Sequence, residues 1–210
     1  MYPMLEKAIE WLSVNAPKIV EALQSPASTN KLEELESLVG CKLPESLISL
    51  YKTHNGINPN LFANFAYGIP IISIEQIIEK VTELESPNDG AMLTHSDEGI
   101  KGSYTFGKLR LPIGDDSGTC LICVDLDPES NGTYGQVILI DYDCNVALKL
   151  ADSVKEYIES FASDLIDGKY TLQEDALEDD VHWLKPESSI DPGNWFNSPT
   201  WKYVPGHNHS

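Results

Sequence analysis

The stretch GDDSGTCLICVDLD, from Gly114 to Asp127, packs adjacent acids, two glycines and a C-x-x-C pair into one short run. A redox dithiol needs its cysteines at a helix N-terminus, where the dipole lowers the thiol pKa and one turn brings the sulfurs together. Here CLICVDL reads as a strand. Side chains alternate along a strand, so Cys120 and Cys123 project to opposite faces and can neither share a metal ion nor close a disulfide. Zinc would also need a second ligand pair, and none stands at a suitable spacing. The pair reads as structural thiols.

Calcium is the next candidate, because Asp141, Asp143 and Asn145 occupy the first, third and fifth places of a calcium-loop pattern. The sixth place needs glycine and holds Val146, and the twelfth, normally glutamate, holds Asp152. A hairpin turn between VILID and VALKLA explains these residues with fewer assumptions. The other acidic turn, DLDPESNG, also lacks the required glycine. His54 ends a predicted helix, His95 lies in a polar loop, His182 falls in an acidic tail, and His207 and His209 are near the terminus. No G-x-S-x-G elbow, Walker loop, G-x-G-x-x-G or H-E-x-x-H occurs. Asp115 and Asp116 are of the right type for acid–base chemistry, but adjacent acids in so acidic a chain read as a solvated turn. These residues assign no catalytic group, no metal ligand and no cofactor.

Thirty-three acids against fourteen bases give the 210-residue chain a formal charge of −19. Such a surface repels phosphate backbones and anionic lipids, which argues against nucleic acid or a membrane surface as direct partner. A basic protein is its natural complement. No apolar run reaches the roughly 18–20 residues that cross a bilayer, and MYPMLEKAIEWL lacks the basic-then-apolar pattern of a secretory signal. The expected location is cytoplasmic, where the four cysteines stay reduced.

The elements that must carry these residues fall into an order. Leu5, Ile9 and Leu12 share a helical face, Pro17 opens a segment with Ile19, Val20 and Leu23, and Leu32, Leu35, Leu38 and Val39 mark a helix ending at Gly40. Pro44 suits a first helical turn before Leu47, Leu50 and Tyr51, with Asn55-Gly56 as the left-handed stop. Ser73 and Gln76 have capping-box spacing, as do Ser153 and Glu156. Between these two helices, KLRLPI, TCLICVDLD, GQVILID and VALKLA read as antiparallel strands joined by turns. The closing helix ends at Gly168. Helices, strands and then a helix predict a single α+β domain, with helices packed around an antiparallel central sheet.

Residues 1–170 form that domain, including an N-terminal helical extension; residues 171–210 are a separate extension. From Thr171 to Asp191 it holds seven acids and one lysine, yet three of the four tryptophans (Trp183, Trp195, Trp201) lie beyond residue 180. An acidic linker followed by an extended segment, NWFNSPTWKYVP, whose rings pack back onto the domain or onto a partner, with packing onto the domain favoured, is the expected arrangement.

With these segments in view, the chain resembles the SUKH superfamily, in particular its Smi/Knr-type cell-wall-assembly regulator family. The resemblance rests on LPESLISLYKTHNGINP (43–59), LPIGDDSGTCLICVDLDP (111–128), TYGQVILIDYD and LADSVKEYIESFASDLIDG, in this order and spacing, over roughly residues 28–168. Where family members often carry an acid directly after the second turn glycine, this chain has Thr119. The resemblance implies a SUKH-like α+β fold and a non-enzymatic, protein-binding role. Within the superfamily, bacterial relatives are immunity proteins that neutralise polymorphic toxins, often nucleases, and fungal relatives regulate glucan synthesis and cell-wall assembly. Charge favours the first branch, because nuclease toxins are commonly basic, which makes a toxin domain the expected partner and a cell-wall regulator the alternative. The partner-binding residues expected are the turn acids Asp115, Asp116, Asp127 and Glu129.

Overall fold

Apolar residues spaced three and four apart build the N-terminal layer. The computed structural model describes residues 3–84 and 88–208, so His209 lies outside the described residues. Helix α1 (Pro3–Asn15) buries Leu5, Ala8 and Leu12, and α2 (Pro17–Ala22) begins on its proline. Helix α3 (Thr29–Val39) starts where the Ser28 hydroxyl accepts from the Lys31 N–H and stops at Gly40, φ 77°. Helix α4 (Glu45–Tyr51) follows, with Pro44 just ahead of it.

Asn55-Gly56 is not the stop of α4, which already ends at Tyr51 and is capped by Lys52. The pair works across space instead. Gly56, at φ 73°, passes so close to the chain at Ile72 that a Cβ would lie 2.6 Å from the Ile72 carbonyl carbon. Asn55 Oδ1 accepts from the Ile74 N–H at 2.9 Å, and its amide donates to Glu75 at 2.7 Å, adding a second cap to α5 (Ile74–Thr82). The Ser73/Gln76 capping box closes there too.

Three two-residue strands, β1 (Asn88–Asp89), β2 (His95–Ser96) and β3 (Phe106–Gly107), precede the meander β4 (Arg110–Asp115), β5 (Cys120–Asp125), β6 (Gln136–Asp141) and β7 (Val146–Ala151). The five-stranded sheet has the order β2-β7-β6-β5-β4. The meander is antiparallel, while β2 adds to β7 in parallel, a pairing too short to announce itself in sequence. The outer edge of β4 is closed by segment 70–72, since Ile72 N–H donates to Ile113 and Asp115 N–H to Pro70. Helix α6 (Val154–Ile166) starts on Ser153 and buries Tyr157, Ile158, Phe161 and Leu165 in the main core. The fold is α+β.

The sheet has two cores. Cys120, Ile122, Val124, Leu139 and Leu148 face the helices, whereas Leu121, Cys123, Ile138, Ile140 and Ala147 pack with Ile100 on the other side. Alternation along β5 therefore separates Cys120 from Cys123, as the strand periodicity requires.

The C-terminal segment departs from a plain linker and an extended strap. It forms β8 (Tyr170–Leu172), α7 (Glu174–Glu178) and β9 (Leu184–Pro186), with β8 and β9 antiparallel, then two 3-10 turns at Pro192–Asn197 and Pro199–Trp201. The turns close because a proline follows a capping side chain in each: Asp191 accepts from Gly193 N–H, and Ser198 from Thr200 N–H. Trp195 is 2 % exposed, and its indole N–H donates to Asp141 Oδ2 at 2.8 Å.

Candidate binding groove

The four sequence-predicted acids do not form one site. Antiparallel pairing sets Asp115 opposite Leu121 and Arg110 opposite Asp125, so Asp115 and Asp116 lie at one end of the β4–β5 pair and Asp127 and Glu129 beyond the other. Six residues of strand separate the ends, on the order of 20 Å. At the far end the acids are absorbed. Asp127 pairs with Lys101 and accepts from the Tyr104 hydroxyl at 3.2 Å. Asp125, fully buried, accepts from the Gln136 amide at 2.9 Å and the Asp127 N–H at 3.1 Å. Burial raises the Asp125 carboxyl above the ordinary Asp value, opposed by the Gln136 hydrogen bond and by Arg110. Arg110, the chain's one arginine, is also fully buried. Its guanidinium lies 4.1 Å from the Tyr104 ring centre and donates to the backbone carbonyls of Lys101, Tyr104 and Thr105. Glu129 is exposed and lies outside this network.

Asp115 and Asp116 hold the hairpin tip and also border open space. Asp116 Oδ1 accepts from the N–H groups of Gly118 (2.8 Å) and Cys120 (3.0 Å); Asp115 Oδ1 accepts from Ser117 N–H (2.7 Å), which stabilises Ser117 at φ 58°. Asp115 also pairs with Lys80 at 2.6 Å. Beside this tip opens a groove of about 560 Å³, with α5, the loop after Gly56 and Trp183 as its other walls. Lys80, Glu83, Asp115 and Ser117 also border a second, shallower depression toward Phe106, Leu121 and Tyr142.

Sequence reasoning missed the apolar half of this groove. Phe62 is 80 % exposed and Leu61 48 %, adjacent in a loop of Asn and Pro where neither helical nor strand periodicity applies. Their signal was a large apolar pair standing where no element could bury it. Asn64 sets their position: fully buried, its amide donates to the Leu184 carbonyl and its Oδ1 accepts from the Leu184 N–H, both at 2.8 Å. One side chain thereby supplies both halves of a strand pairing, and it fixes the Leu61-Phe62 loop beside Trp183.

Glu79, Glu83 and Asp116 line the groove, are exposed, and have no ion-pair partner among the described residues. The one groove lysine, Lys80, is taken by Asp115, so the lining presents unneutralised negative charge next to exposed apolar side chains. The two thiols of β5 are poor nucleophiles. Burial pushes the Cys120 thiol up to about 12 and raises Cys123 as well, so both are protonated at neutral pH. Asp141 and Asn145 bracket the β6–β7 hairpin: Asp141 Oδ1 accepts from Cys144 N–H and Asn145 turns the chain at φ 53°. No helix among the described residues is long and apolar enough to cross a membrane.

Comparison with known proteins adds a lineage to this geometry. The chain is 20% identical to a glucan synthesis regulatory protein of Neurospora crassa, over 94% of this chain and 44% of that protein. It is 23% identical to the cell wall assembly regulator SMI1 of Saccharomyces cerevisiae over 79% of this chain and 40% of that protein, and 22% identical to KNR4/SMI1 homolog 1 of Debaryomyces hansenii over 78% and 50%. The chain thus spans half or less of the length of each of these relatives. The model of the SMI1 / KNR4 family (SUKH-1) matches residues 26–160, which include every groove residue named above except Trp183. With well over half of its length matched, and with the ordered helices, meander and closing helix described above, the chain belongs to the SMI1/KNR4 family (SUKH-1).

Proposed function

We propose that this chain is a non-catalytic regulatory module of cell-wall glucan assembly that acts by binding another protein. The observation that carries this reading is the similarity, over most of the chain, to proteins named for glucan synthesis regulation and cell wall assembly. The geometry is in keeping with it. The groove is lined by apolar side chains and by carboxylates that outnumber its one lysine, and the thiols of Cys120 and Cys123 are held protonated by burial. The immunity reading, expected from the superfamily resemblance together with the charge, is second to it: a −19 surface suits a basic toxin no better than any other basic protein, whereas the relatives' names point to the wall.

The test is deletion of the coding sequence in its own host, scored by cell-wall glucan content and by growth on wall-perturbing dyes. Altered glucan and dye sensitivity, restored by the intact chain, are the expected result. Unchanged glucan and growth would overturn the proposal, and protection against a toxin domain encoded alongside would put immunity in its place.

A further inference from the structure

We infer that the groove between α5, the Leu61-Phe62 loop, the β4–β5 tip and Trp183 receives a short linear segment of a partner protein that carries Lys or Arg beside a large apolar side chain. This deepens the protein-binding reading above and rests on it. Two independent features of the lining define the occupant. The first is apolar: Phe62 is 80 % exposed and Leu61 48 %, and with Trp183 they give a ring-bearing wall for an inserted aliphatic or aromatic anchor. The second is charge. Glu79, Glu83 and Asp116 carry three carboxylates without an ion-pair partner among the described residues, while Lys80 is already held by Asp115 at 2.6 Å. An acidic or neutral segment would leave these groups unmatched, whereas a cationic one is drawn to them and discriminated by them.

The wall made by Trp183 gives the site its particular character. Trp183 lies beyond the family-matched residues 26–160 and is brought to the groove by the paired hydrogen bonds between Asn64 and Leu184. The C-terminal segment therefore completes a surface that the matched region only begins.

The experiment uses the whole chain, immobilised, and a phage-displayed library of random dodecapeptides, followed by fluorescence polarisation with the selected peptides. Selected sequences should be rich in Lys or Arg flanking Phe, Leu or Trp. Their affinity should fall about tenfold or more in Phe62→Ser and in the Glu79→Gln, Glu83→Gln double variant, as expected when an anchor contact or a matched charge is removed. The Glu6→Gln, Glu10→Gln variant removes the same charge from exposed positions of α1 outside the groove and should bind as the parent does. No enrichment, enrichment of acidic sequences, or equal weakening in the α1 variant would overturn the inference. Folding of each variant is checked by its thermal transition, and Phe62→Tyr, which keeps the ring, should restore binding. Groove variants that lose peptide binding yet restore wall glucan fully in the deletion host would sink the groove's role and leave the regulatory reading standing. A deletion without any wall phenotype, with peptide binding intact, would do the reverse.

Discussion

The two ends of the β4–β5 pair are built from the same ingredients, acids and glycines in turns, and they come to opposite uses. Beyond the Arg110–Asp125 end, Asp125 and Asp127 are met by Gln136, Lys101 and Tyr104, and a buried guanidinium ties down three carbonyls. At the Asp115–Cys120 end, Asp116 spends one oxygen on the turn, and Glu79 and Glu83 have no ion-pair partner among the described residues. What separates a paired acid from an available one is whether the fold brings a cation beside it. Local sequence does not reveal that.

Removing the cation from the closed end is expected to have the largest effect. Arg110→Met removes the guanidinium donors from three backbone carbonyls and takes away the positive charge that favours the ionised form of buried Asp125, so stability should fall by about 3–5 kcal/mol in urea denaturation. An unchanged midpoint would erase the distinction between the ends. Asn64→Ala comes next. It leaves the Leu184 N–H and carbonyl without their side-chain partner in the interior, a loss of about 2–4 kcal/mol for two bonds. It should also loosen the groove, visible as a shift in tryptophan emission from Trp183.

A smaller, pH-dependent effect belongs to Asp191. Burial holds its carboxyl above the ordinary value of 3.8, against hydrogen bonds from the backbone at Asn194 and Gly193. The folded protein therefore binds this proton more tightly than the unfolded chain, and the charge lowers stability at neutral pH. Asp191→Asn should be the more stable protein at pH 7, and its advantage should shrink as pH falls through the raised carboxyl value; an advantage constant across the acid range would contradict this. The smallest effect is expected at the open end. Glu79→Gln with Glu83→Gln should change the unfolding free energy by no more than about 0.5 kcal/mol, because exposed acids that make no ion pair contribute little to stability. A large loss would mean that the open end, too, is structural.

These contrasts also mark what could be read from residue order. The helical faces, the Ser73/Gln76 box and the opposed thiols of β5 follow from periods of 3.6 and 2, so local spacing was sufficient. Asn55-Gly56 misled because its partners, Ile72, Ile74 and Glu75, are distant in the chain, and a left-handed glycine looks the same at a helix end and at a close crossing. NWFNSPTWKYVP has no period at all; its proline-initiated turns are set by Asp191 and Ser198, and its depth by Asp141. Half of the groove's acids were visible as the pair Asp115-Asp116. Its apolar wall was not, because Phe62 and Trp183 are more than a hundred residues apart and are brought together by tertiary contacts such as the Asn64–Leu184 pair.

That junction has a consequence for inheritance. A relative lacking the C-terminal segment has no backbone at the place of Leu184 to receive the two bonds, so nothing there would demand an amide at the position of Asn64. Loop and tail are thus free to diverge only in concert, and the complete groove should be a trait of those lineages that retain both.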